Sequence, residues 1–122
     1  MNEIPIDFDR AMYVQARDVA GGSDARLYEG YFNAQYEMLR ATRPLVVGHF
    51  DLIRLFSDGP DRDFMQDENL AKLVARNLKL MLELGALMEV NSSALRKGLK
   101  EPYPTRSVCE VCLDLVCVWR PA

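Results

Sequence analysis

A chain of 122 residues, 49% hydrophobic and 27% charged, has an ordinary globular composition and by length holds one domain at most. Its formal charge of −3 provides neither a basic footprint for nucleic acid nor a polybasic patch for a membrane surface. No stretch approaches the ~20 apolar residues that cross a bilayer, and Met1-Asn2-Glu3-Ile4-Pro5 lacks the basic start and apolar run of a secretory signal. Three cysteines, an odd count, argue against a disulfide framework and for a reducing, cytoplasmic setting.

In chain order, Ile4 to Asp9 reads as an extended, proline-containing segment, and Asp9 to Val19 as a short helix closed by Gly21-Gly22. Ser23 suits an N-cap and Asp24 the positive end of a helix dipole. From there Leu27, Tyr31, Ala34 and Met38 recur at helical spacing up to about Thr42. Pro44 stops that helix, and Leu45-Val46-Val47 follows as a strand. Ser57 to Glu68 is acidic and polar; its spacing does not fit an EF-hand, and it reads as a solvated loop.

Leu70, Leu73, Val74, Leu78, Met81 and Leu84 mark a second amphipathic helix with Gly85 as its C-cap, its methionines serving as core filler. Ala86 to Val90 is the next strand. The order helix–strand–helix–strand, with apolar strands that do not alternate cleanly, predicts an α/β fold with a parallel sheet covered by helices.

Chemistry in such folds collects at the carboxyl ends of the strands. His49, the only histidine, and Asp51 follow the first strand; Glu89, Asn91, Ser92, Arg96 and Lys97 fall at or after the second. An imidazole, a carboxylate and nearby arginines suit a metal-assisted phosphate or carboxylate site. Taken by itself, His49 reads as a satisfied core or loop histidine sooner than as a ligand.

Four blocks add a family likeness. They are Ile4-Pro5-Ile6-Asp7-Phe8-Asp9-Arg10-Ala11-Met12-Tyr13, Tyr31-Phe32-Asn33-Ala34-Gln35-Tyr36-Glu37-Met38-Leu39, Val47-Gly48-His49-Phe50-Asp51-Leu52-Ile53-Arg54-Leu55, and Glu89-Val90-Asn91-Ser92-Ser93-Ala94-Leu95-Arg96-Lys97-Gly98 with Glu101-Pro102-Tyr103-Pro104. In this order they resemble histidinol-phosphatases of the PHP (polymerase and histidinol phosphatase) family, fungal type, from about Ile4 to Thr105.

The resemblance implies metal-dependent hydrolysis of L-histidinol phosphate to L-histidinol and phosphate in histidine biosynthesis. It implies a distorted β/α barrel with zinc, iron or manganese at the strand ends, the metal supplying hydroxide and polarising phosphoryl oxygens. His49 matches the family's metal-ligating histidine. Arg54 and Arg96 are candidates for phosphate contacts, because a guanidinium fork matches phosphate oxygens; for Arg54 the alternative is a surface salt bridge. Asp51 reads as an outer partner orienting His49 or as a solvated acid. Glu89 sits at the strand end or pairs with Lys97 or Arg96. Asn91 and Ser92 bond the loop or the substrate.

The family's other histidine and acid blocks are missing, a closed barrel needs on the order of 250 residues, and a catalytic metal takes about three protein ligands. The chain therefore reads as an internal fragment of about two to three βα units with no complete catalytic set. Residues 1–106 form the partial PHP-like domain and 107–122 a divergent Cys-rich tail, in which Cys109, Cys112 and Cys117 read as small apolar helix residues sooner than as a zinc site. A non-catalytic helical interaction module or a decayed copy is the rival reading, and exposed strand edges predict self-association in either case.

Overall fold

The computed structural model describes residues 9–118. The extended N-terminal segment up to Phe8, and Trp119 to Ala122, lie outside the described residues; so does the Cys117 side chain. Two helices come first: α1 (Arg10–Ala20), capped by Asp9, whose carboxylate accepts from the Met12 amide, and α2 (Asp24–Thr42), capped by Ser23. After α2 come β1 (Val46–Val47), a 3-10 turn at Leu52–Arg54 and another at Phe64–Gln66. Next are α3 (Glu68–Leu84), β2 (Leu87–Met88), the single-turn α4 (Ser93–Arg96) and α5 (Arg106–Val118).

The expected caps form. Ser23 Oγ accepts from the Arg26 amide, and Gly85 closes α3 at φ 72°, a left-handed conformation that glycine adopts without steric cost. The strands pair in parallel, Val46 opposite Leu87 and Val47 opposite Met88, so the fold is mixed α/β and mostly helical. α2 and α3 pack on each other and on the inner face of the sheet. Phe32 is the centre of that layer, its ring 5.7 Å from Phe64 and 5.8 Å from Phe50, with Val47, Val74, Leu78 and Met81 around it. α5 leans on α3 and inserts Val108 into the same core, so the Cys-rich segment packs as a helix against the preceding residues.

Three sequence expectations change. The buried face of α2 is Leu27, Tyr28, Phe32, Gln35 and Leu39, while Ala34 and Met38 lie in solvent. The stripe is rotated because Phe32 packs on Phe64 and Phe50, which turns the face carrying Phe32 and Leu39 inward. Secondly, helices cover only one face of the sheet. Val46 and Leu87 stand side by side on the other face, and Leu45 and Leu87 are 82% and 68% exposed. Among the described residues neither outer edge of this two-stranded sheet is paired.

Thirdly, the acidic loop is fastened down. Asp58 pairs with Arg10 and Arg17, and these two guanidiniums hold its carboxyl below the usual range. Asp61 accepts the Lys100 amide at 2.8 Å, Asp63 accepts the Ser107 hydroxyl at 2.9 Å, and Asp67 caps α3. Asp58, Asp61 and Asp63 close links between segments distant in sequence, which periodicity cannot reveal.

A buried polar relay runs from α3 to the turn after β1. Asn77 Nδ2 donates to the Phe32 carbonyl and to Gln35 Oε1, and Gln35 Nε2 donates to the Phe50 carbonyl, each at 2.9 Å. Buried polar groups are costly when left unpaired. Gln35→Leu is expected to lower the unfolding free energy by about 1–3 kcal/mol, read by denaturant titration, because it leaves one Asn77 N–H and the Phe50 carbonyl without their side-chain partner.

Candidate functional site

β1 and β2 run side by side in the same direction, so the residues leaving their carboxyl ends meet. Asn91 Nδ2 lies 3.3 Å from His49 Nε2 and donates to Glu89 Oε1 at 3.1 Å. Asn91 Oδ1 accepts the Ser93 amide at 2.8 Å, which forces the NH2 side of the amide toward His49 and Glu89. A donor facing Nε2 assigns that nitrogen the lone pair and Nδ1 the proton. Glu89 approaches closely because residue 48 is glycine: a Cβ there would stand 3.0 Å from Glu89 Oε1.

His49 is exposed, and its backbone is left-handed at φ 49°. For a residue with a Cβ this conformation is strained, and it persists only where the surroundings impose it. Here the Tyr31 hydroxyl and the Leu52 amide both donate to the His49 carbonyl at 3.1 Å, and Gln35 holds the next carbonyl.

Beneath this surface lies a layer that the sequence assigned differently. Arg54 is 1% exposed. Its NH1 donates to the Pro60 carbonyl at 3.1 Å, and its NH2 donates to the carbonyls of Glu101, at 2.7 Å, and Pro102. Its Nε sits 3.3 Å from Asp51 Oδ2, within ion-pair distance but not aligned for a hydrogen bond. Arg54 is therefore not a surface salt bridge, and its NH1 and NH2, the nitrogens a phosphate would meet, are committed to carbonyls inside the fold.

Asp51 is fully buried and accepts the Thr105 amide at 2.9 Å, so it neither orients His49 directly nor faces solvent. Tyr103, a residue with no role expected from its sequence position, lies between the two layers. Its ring centroid is 5.8 Å from that of His49 and 5.1 Å from the Arg54 guanidinium carbon. The only hint in the sequence was an aromatic residue between two prolines.

Arg96 ends α4 exposed, with no ion pair or side-chain hydrogen bond among the described residues. Glu89 pairs with Asn91 and not with Lys97 or Arg96. Ser92 is exposed at the start of α4 and makes no capping bond. Cys109 and Cys112 lie one turn apart on α5 with their thiols pushed up by burial, Cys109 against the Pro104 carbonyl. Clefts of about 230 and 410 Å³ are lined by other residues, not by His49, Glu89 or Asn91.

The donor set decides what the site can hold. One imidazole and one carboxylate converge, and among the described residues no three His, Cys, Asp or Glu side chains come together as a metal would need. A catalytic metal takes about three protein ligands, so these residues alone do not fit one.

Comparison with known proteins gives the context. Over 115 residues the chain is 36% identical to a probable histidinol-phosphatase of Schizosaccharomyces pombe, covering 93% of this chain and 38% of that protein. Over 131 residues it is 35% identical to a histidinol-phosphatase of Saccharomyces cerevisiae, covering 91% of this chain and 39% of that protein. Over nearly all of its length the chain is similar to these two histidinol-phosphatases. It spans about two-fifths of the length of these two relatives. No protein-family model and no solved structure matches it.

Two expectations follow from the geometry. Glycine occupies φ 49° freely, so His49→Gly should be more stable than His49→Ala by about 1 kcal/mol in denaturant titrations. Burial pushes Asp51 from its ordinary 3.8 up to about 6, against the pull of Arg54 and of the Thr105 amide. Between those values the folded state holds a proton that the unfolded chain has released, so this contribution to stability falls as pH rises through the window and is flat above it. Unfolding measured from pH 4 to neutrality should show the decline in the wild type and its absence in Asp51→Asn.

Proposed function

We propose that this chain is part of a histidinol-phosphatase-like enzyme that hydrolyses L-histidinol phosphate to L-histidinol and phosphate with a divalent metal, zinc, iron or manganese. The observation that carries this reading is the similarity to two histidinol-phosphatases over more than nine-tenths of the chain. The meeting of His49, Glu89 and Asn91 at the carboxyl ends of adjacent parallel strands supports it.

In this reading His49 is a metal ligand through Nε2, whose lone pair Asn91 holds until a metal takes its place, and Glu89, bonded to Asn91, is a second donor through oxygen. Arg96, exposed and uncommitted, is the phosphate contact; Arg54 is withdrawn from that role. The set remains incomplete without ligands from polypeptide beyond the described residues, so no chemical step is assigned to a metal in this chain by itself.

The parallel pair with its helices represents about two βα units of a distorted PHP-type β/α barrel, and the bare face bearing Val46 and Leu87 is where further strands pack. Without them the same face favours self-association. The division after residue 106 is one of sequence character, since α5 joins the common core. A cytoplasmic setting goes with the proposed biosynthetic role. Among the described residues no helix is long and apolar enough to cross a membrane.

The test exchanges the matching stretch of the S. pombe relative for this chain and measures phosphate release from L-histidinol phosphate with manganese or zinc. The hybrid should be active. His49→Ala within it should lose more than the roughly 10–100-fold that follows removal of a ligand's outer partner. A folded but inactive hybrid would favour a non-catalytic interaction module, and an indifferent His49→Ala would remove His49 from the metal.

A further inference from the structure

We propose that Tyr103 is a positioning residue for His49: its ring, backed by the buried Arg54 guanidinium, sets the direction in which the imidazole meets Asn91. The proposal rests on the reading of His49 as the working group of the strand-end site. Its evidence is geometric.

Tyr103 is fully buried and touches both members of the surface pair. Its ring meets the His49 ring at a centroid distance of 5.8 Å and an angle of 59°, which limits the imidazole's rotation about χ2. Its backbone forms a two-way bridge with Asn91: the Asn91 amide donates to the Tyr103 carbonyl at 2.7 Å, and the Tyr103 amide donates to the Asn91 carbonyl at 3.0 Å. One residue therefore fixes the ring that offers the lone pair and the main chain that carries its donor.

Tyr103 is itself held. The Arg54 guanidinium carbon lies 5.1 Å from the ring centroid on a side chain that also binds the Glu101 and Pro102 carbonyls, just before Tyr103 in the chain. A cation against an aromatic face in a desolvated site is strongly attracted. Asp51, which binds Thr105 two residues beyond, secures the far end. Thus Arg54 and Asp51 act on His49 through Tyr103 while remaining out of contact with its ring nitrogens. An exposed imidazole otherwise samples several rotamers and both tautomers; this support selects one of each.

Because His49 is the only histidine in the chain, its ring signals in an NMR spectrum need no assignment by mutation. In the wild-type protein, nuclear Overhauser contacts should join the His49 and Tyr103 rings. The ¹⁵N shifts should report the Nδ1–H tautomer, and the His49 carbon-bound protons should be displaced by the Tyr103 ring current. Tyr103→Phe should keep all three signatures; Tyr103→Leu should lose the ring-current displacement and relax toward mixed tautomers.

Absence of ring-to-ring contacts in the folded wild type would overturn the proposal without any variant, which covers the case in which Tyr103→Leu does not fold. A folded Tyr103→Leu protein with unchanged His49 signals would overturn it as well. These readouts do not depend on turnover, so failure of the phosphatase reading would appear in the hybrid assay and leave the NMR result separately legible.

Discussion

The buried guanidinium of Arg54 is the point on which the rest of the structure hangs. It joins three stretches that share no secondary structure: the turn after β1 through Asp51, the loop at Pro60, and the segment at Glu101 and Pro102. A charge taken out of water costs several kcal/mol unless it is paired and hydrogen-bonded. Arg54 meets that demand with backbone carbonyls, which are rigid acceptors. The consequence is directional: the carbonyls can satisfy it in one arrangement only, so burying Arg54 specifies how those segments lie, whatever it adds to net stability. Asp61 and Asp63, bonded to Lys100 and Ser107, tie the same loop and C-terminal segment together from outside.

The second constraint is asymmetry. The core of α2 and α3, with α5 leaning on α3, lies on one face of the sheet, where Val47 and Met88 join it. On the other face Val46 and Leu87 have no covering layer among the described residues. An apolar sheet face with unpaired edges favours contact with further polypeptide. The incomplete donor set lies at the carboxyl end of that same sheet. The bare apolar face and the His49, Asn91 and Glu89 cluster thus belong to the same small sheet, and the two curated relatives are more than twice as long as the stretch they share with this chain.

Local signals were legible in the sequence, and long-range ones were not. Ser23, Gly85 and the apolar spacing of Leu70 to Leu84 act within one or two helical turns, and the helices form where these place them. The parallel strand pair followed from element order, and His49 with Glu89 and Asn91 from strand polarity. The failures share a cause. Arg54, Asp51 and the loop acids are residue types that usually lie in solvent, and what buries or fastens them is a partner 39 to 54 positions away, such as Lys100 for Asp61 or Thr105 for Asp51. The face of α2 was misjudged more narrowly: two superimposed apolar stripes compete, and only the tertiary position of Phe64 and Phe50 selects the one containing Phe32.

The strained backbone of His49 gains meaning against this division. A left-handed non-glycine residue costs of order 1–3 kcal/mol and is unstable unless its surroundings over-determine it. Here they do, from several directions: Tyr31 on the carbonyl, Gln35 on the next one, Tyr103 against the ring, Asn91 at Nε2. A glycine would remove the strain at once, yet it carries no side chain to present. Retaining histidine at φ 49° makes sense where the imidazole is needed at that spot, and the relay from Asn77 and the support from Arg54 are what such a placement requires of the fold.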